Sequence, residues 1–168
     1  MSVELYLPNR KTLQDLYVPS EVELPEGDAR CQVFNFAPVN PFEVQEVSWV
    51  ADKPLVVWGL NGTMNNFTPP GAAVAAGFRV AIFQTHGKTK WAWMNKHQIN
   101  ANILGQQGLP FLLRSPQLVG KGDSLIVEIK SLVTAVQGNI TRVQVAFFGV
   151  QPLFSMYPQL YADSGVTQ

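Results

Sequence analysis

The clearest pattern in this chain is a strict alternation of apolar and polar positions in two segments near its C-terminal end. Residues 124–130 have the sequence SLIVEIK and residues 142–147 have the sequence RVQVAF, so that apolar side chains recur at every second position. A period of two places one side of each segment in a core and the other in water, which is typical of a half-buried β-strand. Polar turns precede both segments, GKGD at residues 120–123 and the dipeptide Gly138-Asn139. Paired strands joined by such turns predict an antiparallel sheet rather than an enzyme built on a parallel sheet.

Further strand-like segments extend this pattern over most of the chain and bring the expected count to about eight to ten. The dipeptide Asn61-Gly62 is a strong turn signal and predicts the end of one of these strands. Tight hairpin loops are mixed with longer connections, which favours a Greek-key or jelly-roll arrangement. We therefore expect an all-β chain, an antiparallel jelly-roll-like β-sandwich. The additional strands are predicted at residues 31–36, 44–50, 55–60, 78–85, 90–94, 99–104 and 109–113.

The chain divides into three predicted parts. Residues 1–29 are acidic and interrupted by prolines, which prevent a long central strand, so we expect an extended N-terminal arm. Residues 30–150 form the β-sandwich domain. Residues 151–168 form an apolar C-terminal tail, which we expect to dock on its own body or on a neighbour. The candidate contact residues of the two terminal parts are Glu21, Glu23 and Glu26 in the arm and Phe154 and Tyr157 in the tail.

The low charge content of the chain indicates assembly. Charged residues make up 14% of the sequence, against roughly 25% in typical soluble domains. Interface cores are depleted in charge, so a subunit surrounded by neighbours tolerates an uncharged polar surface. A weakly charged monomer with a polar surface is the alternative.

The charges are unevenly distributed although the net charge is zero. Residues 1–52 contain nine acidic and three basic residues, a net charge of −6, and residues 53–122 contain seven basic and no acidic residues, a net charge of +7. Residues 123–168 contain three acidic and two basic residues, a net charge of −1. The asymmetry indicates either a basic face for nucleic acid or an acidic segment packed on a basic one. Overall neutrality favours the second, so a nucleic-acid partner is not expected.

An uncharged segment in the middle of the chain is a candidate contact region. Residues 61–77 have the sequence NGTMNNFTPPGAAVAAG, without a charged side chain. A long loop of this kind in a compact domain often has a function. We expect it to contact another subunit, with Met64 and Phe67 as candidate residues; a mobile loop is the alternative.

No constellation of catalytic or metal-binding residues is recognisable. The single cysteine, Cys31, excludes an intrachain disulfide and a cysteine-rich zinc site, and its apolar surroundings predict a small core residue. The only histidines, His86 and His97, lie on different elements and do not form a metal-ligand pattern. Nucleophile and phosphate-binding motifs are not found. A glycosidase-like pair of carboxylates would have to come from the arm, from residues 43–52, or from Asp123 and Glu128. We therefore expect no enzyme activity, cofactor or metal.

The segment at residues 88–97, KTKWAWMNKH, is the best chemical candidate. On a strand, Trp91 and Trp93 share one face, while Lys90 lies on the other. Such tryptophans fill a core or an intersubunit contact, or they stack sugar rings or nucleic-acid bases beside the lysines. Packing is favoured over both kinds of ligand. The candidate interaction residues here are Lys88, Lys90, Trp91, Trp93 and Lys96.

One part of the chain resembles a known family. Residues 110–129 contain Pro116 and the run GDSLIVEI, and residues 142–149 have the sequence RVQVAFFG. These runs resemble the closing strands of small jelly-roll virion proteins of bacteriophages, which include capsid decoration (cement) proteins and related head or tail subunits. The likeness spans about 40 residues. It implies a non-enzymatic, oligomeric subunit that binds other virion proteins through loops and terminal arms, with no catalytic residues.

The sequence thus predicts a structural protein of a phage particle, with its own copies (a dimer or trimer) and a major capsid or other virion protein as partners. Neither a secretory signal nor an apolar run long enough to cross a membrane is visible, so we expect the virion, assembled in the host cytoplasm, as its location and no membrane partner. The alternative is a carbohydrate- or nucleic-acid-binding β-sandwich that uses Trp91 and Trp93.

Overall fold

Nine β-strands make up most of the part of the chain that the structure describes. The computed structural model describes residues 24–36, 39–66, 77–94, 98–99, 104, 110–132 and 140–161, with only the backbone described at residues 64–66, 98–99 and 140–141. A short 3-10 turn, Pro158–Leu160, follows the last strand. Within the described ranges no helix is long and apolar enough to span a membrane. The strands are β1 (Gly27–Phe36), β2 (Val44–Val50), β3 (Leu55–Asn66), β4 (Phe78–His86), β5 (Thr89–Ala92), β6 (Gln98–Ile99), β7 (Phe111–Val119), β8 (Ser124–Ser131) and β9 (Ile140–Pro152).

The strands form two antiparallel sheets. Sheet A has the order β1-β9-β3-β7, and sheet B has the order β2-β8-β4-β5, with β6 also paired to β4. Every strand pairing is antiparallel. The chain changes sheet at each connection except the β4–β5 and β5–β6 connections, which stay in sheet B. The edge strands are therefore β1 and β7 in sheet A, and β2 and β5 in sheet B. The prediction of an all-β, antiparallel sandwich is confirmed at this level.

One apolar core lies between the two sheets. Sheet A contributes residues such as Phe34, Leu60 and Phe147, and sheet B contributes residues such as Ile82 and Val127. The rings of Phe34 and Phe147 pack edge to face, with centroids 5.2 Å apart. Because both sheets bury one face in the same core, neither face is stable without the other.

Both segments with the strongest alternation behave as predicted. In β8 the apolar positions of the alternation are fully buried, and so are those of β9. The strand predicted at residues 78–85 is also found, as β4, and its alternate apolar side chains are buried as well. The residues concerned are Leu125, Val127, Ile129, Val143, Val145, Phe147, Phe78, Val80 and Ile82.

The turn predicted at Asn61-Gly62 is wrong, because β3 continues through both residues to Asn66. Their neighbours on β9 are Ala146 and Val145, so the pairing with β9 persists beyond the dipeptide. The Asn61 side-chain oxygen accepts a hydrogen bond from the Gly62 N–H at 2.7 Å. A Cβ at Gly62 would collide with the Leu104 side chain, so this glycine permits a close approach rather than a reversal.

The strand predicted at residues 109–113 is longer than expected and continues across Pro116 to Val119. A proline interrupts a central strand because it lacks an N–H, but an edge strand tolerates it. β7 is the outer strand of sheet A and pairs only with β3 among the described strands. The position of the strand in the sheet therefore explains the difference.

The prediction that Cys31 is a core residue is wrong. Cys31 lies on β1, where Phe34 and Phe36 face the core, and its side chain is exposed on the opposite side. β1 also begins at Gly27, four residues before the predicted start, because Gly27–Phe36 pairs along its whole length with β9. The apolar residues next to Cys31 in the sequence do not indicate which face of the strand its side chain occupies.

Candidate interaction surfaces

The exposed large apolar side chains of the described residues lie along the sheet edges. Strands β1, β2, β5 and β7 carry six of them, and the remaining four lie in the turn before β2 and in the segment after β9. The central strands β3, β4, β8 and β9 carry none in their described part. The set consists of Val33, Phe42, Val44, Val50, Trp91, Phe111, Leu118, Leu153, Phe154 and Met156.

The segment after β9 is fixed to the sandwich beside the start of β1. The Leu153 N–H donates a hydrogen bond to the Glu26 carbonyl at 3.0 Å, and the Glu26 N–H donates to the Tyr157 hydroxyl at 3.4 Å. Tyr161 packs edge to face on Phe154 at 5.3 Å, and its hydroxyl donates to the carbonyl of the last residue of β9. Phe154 nevertheless remains 62% exposed. The described part of the tail thus contacts its own body and still presents an apolar surface.

The two tryptophans of the β5 region share a face, as predicted, but their surroundings differ. Trp93 packs edge to face on the core residue Phe147 at 5.8 Å, and its Nε1–H donates to the side-chain oxygen of Gln84 at 3.1 Å. Trp91 lies opposite Gln84 in the β4–β5 pair and is 38% exposed. Trp93 therefore belongs to the core, and Trp91 alone is available to a ligand or partner.

The lysines of the same hairpin lie on its solvent side. Lys88 is in the turn before β5, and Lys90 is on the outer face of sheet B. The Lys90 ammonium group lies over the Phe83 ring, 4.4 Å from its centroid. Lys90 contacts Phe83 of sheet B, whereas Glu26 contacts Tyr157 beside sheet A, so the predicted candidates among the described residues form two separate groups.

A polar network centres on the buried carboxylate of Asp123, in the turn between β7 and β8. Its Oδ2 accepts hydrogen bonds from the Gln84 side-chain amide at 2.6 Å and from the Gly120 N–H at 2.9 Å. Its Oδ1 lies 2.5 Å from Nδ1 of His86, which is 45% exposed. Asp123 itself is only 4% exposed. The carboxylate thus ties the β7–β8 turn to β4.

The network reaches the second sheet through Gln84. The Gln84 amide also donates to the Leu118 carbonyl on β7 at 2.9 Å, and its oxygen accepts the Trp93 bond. Each polar atom of this buried side chain therefore has a partner, as a buried amide requires. The network thus joins β4, β7 and the β7–β8 turn, and His86 has no second partner among the described residues. Nor do those residues include a group of three or more histidine, cysteine, aspartate or glutamate side chains that could hold a metal ion.

A tight turn before β2 holds an exposed aromatic residue in an uncommon conformation. Phe42 has a φ of 59° and is 61% exposed. Pro41 precedes it, and the Glu43 N–H closes the turn on the Asn40 carbonyl at 3.1 Å. Positive φ is costly for a bulky residue and persists only where its surroundings impose it. The Glu43 carboxylate supplies such a restraint by accepting the Asn40 N–H at 2.7 Å and the Gln45 amide at 3.0 Å.

Several predicted interaction residues are not placed. Glu21, Glu23, Phe67 and Lys96 lie outside the described residues, and only the backbone of Met64 is described, within β3. Asp123 and Phe42 were not among the predicted candidates. The turn GKGD contains an acidic residue just before a strand, and Pro41 precedes Phe42, but neither signal indicates burial or strain by itself.

No protein-family model matches this chain, and neither a curated protein nor a solved structure matches it.

We predict that Asp123 contributes to stability far more than an exposed aspartate does. Asp123→Ala leaves the Gln84 amide and the Gly120 N–H without their acceptor, which we expect to cost about 3 kcal/mol of unfolding free energy. Asp123→Asn is expected to cost less, because its oxygen still accepts from Gln84 while its amide faces the imidazole. Asp52→Ala, at an exposed position, is the matched control. Urea denaturation measures all three, and an equal loss for Asp123→Ala and Asp52→Ala would contradict the network.

We also predict a pH-dependent restraint at the turn before β2. The Asn40 N–H and the Gln45 amide hold the pKa of the Glu43 carboxyl below its ordinary value. The restraint is therefore present above the ordinary glutamate pKa and is lost as the pH falls through the lowered one. The NMR shift of the Asn40 amide proton should titrate with a midpoint below that of glutamate in a peptide. Glu43→Gln should remove this titration and Glu46→Gln should preserve it; a midpoint at the ordinary glutamate pKa would refute the assignment.

Proposed function

We propose that this chain is a non-enzymatic structural protein of a bacteriophage particle, a capsid decoration protein or a related head or tail subunit. It assembles as a homo-oligomer and binds other virion proteins. The observation that carries the proposal is the placement of the exposed apolar side chains along the sheet edges. Apolar patches on a soluble domain mark association sites, and unpaired sheet edges add free backbone donors and acceptors.

The strand order supports the finer assignment of the sandwich as a jelly roll. Without the two-residue β6, eight strands form two four-stranded sheets, and the chain changes sheet at nearly every connection. The orders β1-β9-β3-β7 and β2-β8-β4-β5 are those expected when two Greek keys are wound together. Jelly rolls are used in viral capsids, and also in lectins and cupins. The order is thus compatible with the virion function without being specific to it.

The charge content supports assembly over a function as a free monomer. Only 14% of the residues are charged, and three apolar side chains after β9 remain exposed although the segment contacts Glu26. Burying Leu153, Phe154 and Met156 in an interface removes about 25 cal/mol of unfavourable hydration for each Å² covered. A neighbouring subunit is the partner that would cover the exposed apolar side chains of this segment and of the edge strands.

Light scattering coupled to size-exclusion chromatography tests the proposal. We expect a mass of two or three chains. The double variant Phe154→Asp with Met156→Asp places charge in the contact and should weaken self-association by at least about 30-fold, which is the effect of losing a single hot-spot residue that contributes about 2 kcal/mol. Gln159→Asp, which adds a charge at an exposed position of the same segment outside this contact, is the matched control.

A mass of one chain at every concentration, unchanged when purified capsid and tail proteins from neighbouring genes are added, contradicts the proposed function. Circular dichroism of each variant checks that the sandwich is intact. An oligomer that the double variant leaves unchanged would place the contact on another edge.

A further inference from the structure

A cavity opens between the edges of the two sheets, where β1 lies beside β2. Its volume is about 300 Å³, at the lower end of the range for ligand-binding pockets. It lies between β1, the end of β2, the β2–β3 turn and β9. The lining residues that matter for recognition are Arg30, Gln32, Trp49, Asp52, Lys53 and Gln151.

The charges of this cavity are not neutralised by the residues around them. Arg30 and Lys53 supply two cations and Asp52 one anion, so these three groups sum to +1. Among the described residues, the side chains of Arg30, Asp52 and Lys53 have no hydrogen-bond or ion-pair partner. Trp49 forms an apolar wall, since it is half-buried and packs against the core. This combination suits a carboxylate carried on a chain with some apolar surface.

The edge beside the cavity is open to strand addition. β1 is ten residues long and pairs only with β9 among the described strands, so half of its backbone donors and acceptors face outward. The other side of the sandwich is protected, because β7 contains Pro116 and β5 has only four residues, including Lys90. An extended peptide on β1 would gain backbone hydrogen bonds, and the adjoining cavity would select one of its side chains.

We propose, on the basis of the assembly proposed above, that the cavity and the free edge of β1 bind the acidic residues 20–23 of the N-terminal segment of a second copy. These residues have the sequence SEVE. In an extended chain Glu21 and Glu23 lie on the same face, since the side-chain period is two. Either carboxylate complements Arg30 and Lys53.

The direction of the chain before β1 favours a second copy over the same chain. Glu26 contacts Leu153 and Tyr157, which continues the line of β1 beyond its first residue. As far as Glu26 the chain therefore continues along β1 away from Arg30. Residues 20–23 directly precede Leu24 and extend at most about 13 Å beyond it, so the second copy must lie against this end of β1.

A disulfide trap tests this contact with full-length chains, because Cys31 is the only cysteine and lines the cavity. One chain carries Glu23→Cys with Cys31→Ser, and its tagged partner keeps Cys31. Burial raises the pKa of the Cys31 thiol, so the mixture is oxidised with diamide at about pH 9. We expect a disulfide-linked heterodimer in about tenfold higher yield than with Glu4→Cys in the same background. Arg30→Glu with Lys53→Glu in the tagged chain should abolish it.

Three results separate the inference from the proposed function. If a chain with both Glu23→Cys and Cys31 forms only an intrachain disulfide, the segment binds its own body and the inference is wrong. If no disulfide forms although light scattering of the unoxidised mixture shows an oligomer, the contact is wrong and the assembly stands. If light scattering shows single chains at every concentration, both fail.

Discussion

The two sheets share a single apolar core, and this constraint determines what the rest of the molecule can do. Each central strand gives every second side chain to the core, so its remaining positions form the outer sheet faces. A sandwich, unlike a closed barrel, leaves four strand edges unpaired. The exposed apolar side chains of the described residues collect at these edges and beside them, including Val50 on β2 and Leu118 on β7. Among the described residues, these margins are therefore where large apolar side chains remain exposed to solvent.

At one end of the sandwich, a polar network instead of apolar packing joins the two sheets. The Asp123 carboxylate joins the β7–β8 turn to Gln84 and His86 on β4, and Gln84 extends the network to β7 and to Trp93. A buried carboxylate is costly unless hydrogen bonds satisfy it. Here Gln84 and His86 of sheet B and Gly120 of the β7–β8 turn contact the carboxylate, and Gln84 also donates to the Leu118 carbonyl of sheet A, so the network joins the two sheets at one end. The cavity between β1 and β2 has charged groups without such partners among the described residues, and it is the more suitable place for a ligand.

The predictability of this structure from its sequence differs from element to element. The alternation of apolar and polar residues alone predicted β4, β8 and β9 and their buried faces, because a strand that lies on the core buries every second side chain. The prediction of a turn at Asn61-Gly62 was wrong, because the pairing of β3 with β9 and the close approach of Leu104 depend on distant residues. The exposure of Cys31 and the burial of Asp123 were not predicted for the same reason. Each depends on which strand lies opposite the residue, and distant parts of the chain decide this. For the candidate residues Trp91 and Trp93, the sequence did not indicate that Trp93 packs on the core while Trp91 is exposed.

We propose that the edges of the sandwich, not its faces, bind neighbouring subunits. A cryo-electron microscopy map of the assembled particle tests this most directly. The account predicts density from a neighbouring subunit along the free edge of β1 and over Phe154. A map in which both lie in solvent, while the outer faces of the central strands make the contacts, would contradict it.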